Sequence, residues 1–491
     1  MPSIVEQLDQ IVFSMSSFIP EITLVLGMLL LIITDLIRPK TNFAIVIALF
    51  VLVAYATFLE LQQAIDFKLK PQFLFDEMLY LDAKGSFFKL SIVLFSIFIC
   101  LHTFVFEQAN WRKDLRQTEF YVVLIAIVLG LFIMAMAVNL ISLFVAIELV
   151  SMGSYILVAF SREKNSLEAA IQYLIFGATS SAIMLYGFSM LYGMTGSMVF
   201  VGKAFQPHLL AQQPLSIFIG SFMAVGGLLF KLAAVPFHVW TPQVYEASPT
   251  PTVSFLSVLP KIAALLALMR LLEALGFAQN NALVGIIAAS LLIGNFSALW
   301  QLDAKKMLAY SSIAHAGFML VGLCATSKLG SEATTFYVVT YGFINLAAFV
   351  LLDVLSQHSG SMQLDSFAGL GRKQPILGVA AVVIALALVG LPPTVGFSGK
   401  LLIFTALWDA FQQSQDLTLF YLLIFGLVNA TISLFYYLKI PYQLFFKETD
   451  SAIPFVFTLA QKALLAALTI PIIILFFKPE WLMDVIGQLR L

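Results

Sequence analysis

The chain has 491 residues, of which 61% are apolar and only 11% charged, and its mean hydropathy is +0.98. A soluble domain carries about a quarter charged residues, so composition excludes that class. A formal net charge of −1 gives no footprint for nucleic acid, and two cysteines, Cys100 and Cys324, are too few for an iron–sulfur or zinc centre.

In chain order, the N-terminal MPSIVEQLDQ carries Glu6 and Asp9 but no basic n-region, so the first apolar run is expected to be retained rather than cleaved. Apolar windows then recur near 18–37, 42–60, 86–106, 118–137, 139–160, 168–194, 215–240, 252–272, 279–300, 305–326, 333–356, 376–406, 418–440 and 455–477. Each is long enough to cross a bilayer core of ~30 Å, and in lipid such segments are helical. The fold class expected is an all-α polytopic membrane protein of about 14 transmembrane helices. The window 376–406 is too long for one straight crossing and contains Gly390, Pro392, Pro393, Gly396 and Gly399, which predicts a broken helix.

Basic residues predict the orientation. With the N-terminus outside, thirteen fall on the inside: Arg38, Lys40, Arg112, Lys113, Arg116, Arg162, Lys164, Lys305, Lys306, Arg372, Lys373, Lys439 and Lys447. Eight fall on the other side: Lys68, Lys70, Lys84, Lys203, Arg270, Lys328, Lys478 and Arg490. Both termini are therefore expected to be non-cytoplasmic.

An internal repeat is legible at an offset of 164. It pairs Gly153 with Gly317, Lys164 with Lys328, Glu168 with Glu332, Ala169 with Ala333 and Tyr173 with Tyr337. Five spans separate the copies, so the second must be inverted, an architecture of many ion-coupled transporters. The organisation expected is 1–117 as a three-helix segment, 118–274 and 275–441 as inverted five-helix repeats containing broken helices, and 442–491 as a C-terminal helix.

Ionisable groups deep in these spans carry the chemistry, because a charge at a helix centre costs at least ~2.5 kcal/mol on insertion scales. Glu148, Lys231, Lys261 and Lys400 are mid-span. Pro236 cannot donate to the carbonyl of Leu232, Pro260 precedes Lys261, and Lys400 follows the Pro/Gly run. Burial disfavours the charged form of a lysine and a nearby carboxylate restores it, so such a pair can take up and release protons. The plain alternatives are lysines that snorkel to an interface and a Glu148 that only locks two helices together. His238 and His315 can be ordinary interior histidines and Tyr310 an interfacial aromatic. His102, Cys100, Lys89 and Lys462 read as packing or interfacial residues, and Asp353 and Arg270 as anchors near span ends. No dinucleotide or Walker phosphate loop is present in the sequence.

The run FKLAAVPFHVWTPQVYEASPTPTVSFLSVLPK (230–261), together with Glu148, LAYSSIAHAGF (308–318) and GLPPTVGFSGK (390–400), resembles the antiporter-like subunits of respiratory complex I. Multisubunit Na⁺/H⁺ antiporters share that ancestry and are the alternative reading, and a docking scaffold with vestigial charges is a third. Within the family the wording VYEASPTP and a lysine at 400 resemble subunit N. With the last apolar run ending near 477, the long lateral helix of subunit L is not expected in this chain.

The resemblance implies that Glu148 and Lys231 form a coupled pair, that Lys261 joins two half-channels, and that Lys400 terminates the second. It implies that His238, Tyr310 and His315 lie along a hydrogen-bonded water path. It further implies a proton-translocating subunit of an NADH:quinone oxidoreductase in a bacterial inner membrane. No cofactor is expected in this chain, with flavin, iron–sulfur clusters and quinone held by other subunits. The partners expected are the bilayer, subunit M, subunit K and the lateral helix of subunit L, with no nucleic acid. One departure is visible: where subunit N often carries a lysine in the sixth span, this chain has Gln172.

Overall fold

The computed structural model describes residues 4–37, 43–66, 70–110, 117–202, 205–276, 281–448 and 457–489. Arg38, Lys40, Lys68, Arg112, Lys113, Arg116, Lys203 and Arg490, used above for orientation, lie outside the described residues.

α1 (Ile4–Ser16) precedes α2 (Ile19–Ile37) and α3 (Phe43–Ile65). A small antiparallel hairpin follows, β1 (Gln72–Leu74) with β2 (Leu79–Leu81), pairing Phe73 with Tyr80. Next come α4 (Ala83–Asn110), α5 (Gln117–Met136), α6 (Leu140–Ala159), α7 (Lys164–Thr195), α8 (Phe205–Leu210) and α9 (Pro214–Leu232). α10 (Thr241–Ala247), α11 (Thr250–Leu275), α12 (Asn281–Leu299), α13 (Ala304–Cys324) and α14 (Lys328–Ser359) complete the middle of the chain. The last part holds α15 (Leu370–Lys373), α16 (Pro375–Val389), α17 (Val395–Ser414), α18 (Leu417–Tyr437), α19 (Lys439–Phe446), α20 (Leu459–Phe477) and α21 (Glu480–Gly487).

Among the described residues 13 helices are long and apolar enough to cross a membrane. The interrupted pair α16–α17 makes the fourteenth span. The expected break falls at Gly390, whose φ of +88° ends α16 in a left-handed turn. Gly396 lets α17 start against α16, since a side chain there would collide with the carbonyl of Ala387. The window at 215–240 is interrupted as well. α9 ends at Leu232, Ala233 is left-handed at φ +60°, and α10 begins only at Thr241.

The ends of the bundle are defined by what meets there. At the hairpin end, Leu79 bridges to Ala137 and Asn139 to Val199, and Lys84 donates to Ser331 at 2.7 Å. At the far end, Asp303 bridges to Gln363, and Val105, Ser161, Glu246, Lys305 and Ser356 line one cavity. α4 runs from Lys84 to Val105, about 32 Å at 1.5 Å per residue, which is a full crossing.

α7 therefore starts at the far end and α14 at the hairpin end, so these two 32-residue helices run in opposite directions. Each opens with a lysine paired four residues on, Lys164 with Glu168 and Lys328 with Glu332, and each ends on a left-handed glycine, Gly196 and Gly360. α1 and α21 both lie at the hairpin end, with Gln72 donating to Ser17 at 2.9 Å and Leu489 sharing a cavity with Lys84 and Lys328.

Burial identifies the centre. The apolar windows of α11 and α13 are 94% buried and that of α14 is 100%, against 28% for α2 and α20, whose outer faces are left for lipid. Lys305 proves a poor marker of a loop surface: it is buried, with its ammonium donating to the carbonyls of Glu246 (3.1 Å) and Ser248 (2.8 Å). Lys84, counted as a loop residue from the sequence, is likewise buried in the first turn of α4.

Two predictions follow from this frame. A cysteine at Lys164 should react with an impermeant maleimide only from the cytoplasmic side, and one at Lys328 only from the other; reaction of both from one face would overturn the span count. Gly396→Ala should destabilise the chain by roughly 1–3 kcal/mol and lower the yield of assembled protein. Gly193→Ala, which faces open space, should leave the yield unchanged.

Candidate functional site: a buried polar axis

α6 presents Glu148 toward α7, where the hydroxyl of Ser181 donates to its carboxylate. Lys231, in the last turn of α9, is buried, and no protein group accepts a hydrogen bond from its ammonium. It lies 5.9 Å from the ring centres of both Tyr173 and Phe230, and Trp240 stacks on Tyr173 at 4.3 Å. An aromatic face attracts a desolvated cation, so these rings shelter the charge without fixing it. No ion pair joins Glu148 to Lys231 directly, yet the Glu148 carboxylate acts on the ammonium across the gap.

The interruption between α9 and α10 exposes further polar atoms to the interior. His238 Nδ1, Trp240 Nε1, Thr241 Oγ1 and Ser248 Oγ have no protein partner. Buried polar atoms of this kind are where ordered water bonds. Lys261 follows on α11, which stays helical through Pro260. Its ammonium donates to the carbonyl of Ser312 at 2.7 Å and lies 5.8 Å from the Tyr341 ring.

From Ser312 a series of hydroxyls continues. Its Oγ lies 3.1 Å from Tyr341 Oη and 3.4 Å from Tyr245 Oη. One turn on, His315 Nδ1 meets Tyr337 Oη at 2.7 Å and Nε2 meets Tyr437 Oη at 3.0 Å, and Tyr437 shares a hydrogen bond with Ser311. Lys400 closes the series. Its ammonium donates to the carbonyls of Val389 (2.5 Å) and Leu388 (3.3 Å), which the break in α16 leaves without helical partners, and lies 4.5 Å from the Phe318 ring.

The structure thus buries Lys231, Lys261, His315 and Lys400 within the bundle, with Glu148 half-buried against Ser181 and His238 half-buried in the segment between α9 and α10. Tyr310 sits partly buried on α13, outside the hydrogen-bonded series. Gln172 is exposed on α7, and Glu148 accepts a hydrogen bond on that helix from Ser181, which no local pattern singles out.

Several residues read from the sequence as packing, interfacial or anchoring groups have specific polar partners remote in the chain. Lys89 is fully buried between Glu21 (2.9 Å) and Glu60 (2.8 Å), not interfacial. His102 meets Asp353 at 2.7 Å, both buried, and neither is an edge residue. Arg270 is pinned by Asp82 at 2.6 Å. Their partners are distant in the chain, which hid the pairing. Among the described residues no three His, Cys, Asp or Glu side chains gather to hold a metal ion.

Residues 137–433 match the family described as NADH:quinone oxidoreductase/Mrp antiporter, TM. A subunit N 2 of the NADH-quinone oxidoreductase from Chloroherpeton thalassium is 35% identical over 94% of this chain and 92% of its own length. The subunit N from Chlorobium chlorochromatii is 37% identical over 89% and 86%. Among solved structures, a chain of Thermus thermophilus respiratory complex I superposes with a TM-score of 0.80 at 29% identity, covering 96% of this chain and 100% of that one. A chain of the Mrp complex from Dietzia superposes with 0.81 at 18% identity over 96% of each, a likeness of fold alone. The chain belongs to the NADH:quinone oxidoreductase/Mrp antiporter family, and within it to the antiporter-like N subunits of respiratory complex I.

Proposed function

We propose that this chain is the proton-translocating subunit N of an NADH:quinone oxidoreductase, moving protons along a buried Glu/Lys/His relay while electrons pass through other subunits. The observation that carries the reading is the set of ionisable groups Glu148, Lys231, Lys261, His315 and Lys400 inside a largely apolar bundle, four of them bonded to hydroxyls or carbonyls and Lys231 without a protein acceptor. A membrane subunit of an Na⁺/H⁺ antiporter shares the fold, but the named relatives of higher identity are N subunits.

In this reading, residues 118–274 and 275–441 act as two inverted half-channels, flanked by 1–117 and 442–491. The opposite directions of α7 and α14 support that division. A proton held by Lys231 is stabilised by the Glu148 carboxylate. When that carboxylate is neutralised or drawn away, Lys231 passes the proton toward Lys261 through the interrupted segment that carries His238. Lys261 hands it through the Ser312–Tyr341 and His315–Tyr437 hydroxyls to Lys400, which exchanges with the non-cytoplasmic side, at the hairpin end. Tyr310 borders this path. Subunit M, subunit K and the lateral helix of subunit L are the neighbours in the complex, in a bacterial inner membrane with both termini non-cytoplasmic. Flavin, iron–sulfur clusters and quinone belong to other subunits.

The test uses membrane vesicles, with quinone reduction and pH-gradient formation normalised to assembled complex. Glu148→Ala should slow pumping while assembly persists, and Glu148→Asp should be milder because its charge survives with a shorter reach. Normal pumping by Glu148→Ala would reduce the glutamate to helix packing. Lys400→Arg keeps a charge that cannot be shed below pH ~12, so it should impair turnover as Lys400→Ala does. Parental pumping by the arginine variant would make Lys400 a fixed electrostatic element rather than a relay.

A further inference from the structure

Beside the axis lies a second buried cluster that the relay does not use. His102 on α4 is 1% exposed and Asp353 on α14 is 0% exposed. His102 Nε2 lies 2.7 Å from Asp353 Oδ2, and its Nδ1 lies 3.1 Å from the hydroxyl of Ser254 on α11. Asp353 Oδ1 has no protein partner. A pair serving only to lock α4 to α14 would be saturated, or replaced without loss by apolar side chains.

Two features connect this cluster, one outward and one inward. Outward is the far-end cavity of about 890 Å³, lined by Glu163, Glu246, Ser248, Thr250, Lys305 and Gln461 among others. Ser356, whose hydroxyl donates to the Asp353 carbonyl at 3.1 Å, and Val105, three residues on from His102, both line it. Inward, α11 carries Thr250, Ser254, Ser257 and Lys261 at steps of 4, 3 and 4 residues, which puts them on one face. Thr250 lines the cavity, Ser254 touches His102, and the hydroxyl of Ser257 donates to the Ser254 carbonyl at 2.9 Å. Lys261 lies one turn further, about 6 Å along the helix surface, a gap that one bridging water spans. A helix whose window is 94% buried has no packing reason for such a stripe.

We propose that His102 and Asp353 form a proton-uptake site that loads Lys261 directly from the far-end cavity, independently of the Glu148–Lys231 pair. A water proton binds the pair, and the imidazole releases one from its other ring nitrogen to Ser254. Ser254 passes its own proton inward along the stripe to the free amine of Lys261. One proton has moved from the cavity to Lys261 and the pair regains its charge, with the imidazole in its other tautomer until a proton returns to Nδ1 and Nε2 is free for the next uptake. Lys305 of α13, Glu163, Glu246 and His358 are the charged or titratable groups that line the cavity on the pair's outer side.

This inference rests on the proton-pumping reading above, and the test separates the two. Complex carrying Asp353→Asn, His102→Gln or Lys261→Ala is reconstituted in liposomes, and pumping and quinone reduction are measured in H₂O and D₂O. Asp353→Asn and His102→Gln keep the volume and a hydrogen bond but not the ability to take up the proton. Each should slow coupled turnover at least about twofold, with the Glu148–Lys231 route still open, and raise the solvent isotope ratio, because proton uptake then limits the rate. A packing defect would leave that ratio at the parental value. If Asp353→Asn does not assemble, His102→Gln decides. Parental rates in both variants, or slower rates with an unchanged isotope ratio, overturn the uptake site. If Lys261→Ala also pumps like the parent, the relay itself falls.

Discussion

A lysine ammonium taken into an apolar bundle must find oxygen or aromatic partners or give up its proton, and this constraint shapes the middle of the chain. Lys400 finds two carbonyls that exist as free acceptors only because α16 stops at Val389. Lys261 finds the carbonyl of Ser312. Lys231 finds only ring faces and the field of Glu148. The helix breaks are thus part of the electrostatics. Gly390 and Gly396 at one break, and left-handed Ala233 at the other, stand where regular helix would have consumed the acceptors or closed the space.

The two halves solve the problem differently. Around Lys231 the wall is Tyr173, Phe230 and Trp240, and the charge is held loosely. Beside Lys261 the wall is the Ser312–Tyr341 hydroxyl pair, next to it Tyr337 and Tyr437 hold His315, whose ring lies 4.9 Å from that of Tyr341, and Lys400 is held by carbonyls. A loosely held cation answers to its carboxylate neighbour, while a hydroxyl series conducts whatever it is given. Tyr173 and Tyr337, one repeat offset apart, occupy corresponding helices, one as a ring beside a lysine and the other as a hydroxyl on a histidine.

Much of the frame was legible because lipid imposes local rules. Apolar runs of about 20 residues read as spans, and the Pro/Gly cluster at 390–399 read as a break. Glu148, Lys231, Lys261 and Lys400 stood out because each sits mid-span and three neighbour helix breakers. What was not legible depends on contacts remote in sequence. Lys89 meets Glu21 and Glu60, 68 and 29 residues away, and His102 meets Asp353, 251 residues away. No local pattern reports such pairs. The hairpin at 72–81 has strands of three residues, too short to show a period of two. Ser181 carries no signal of its own among the many serines of α7.

In the proposed relay, Glu148–Lys231 and His315–Lys400 belong to one conducting series rather than to two separate devices. The direct measurement is a double-mutant cycle on proton pumping by assembled complex, using Glu148→Ala, Lys400→Arg and the two together. Groups that act in series are non-additive, so the account predicts that the double variant pumps about as fast as the slower single one. A double variant slowed by the product of the two single effects would contradict it.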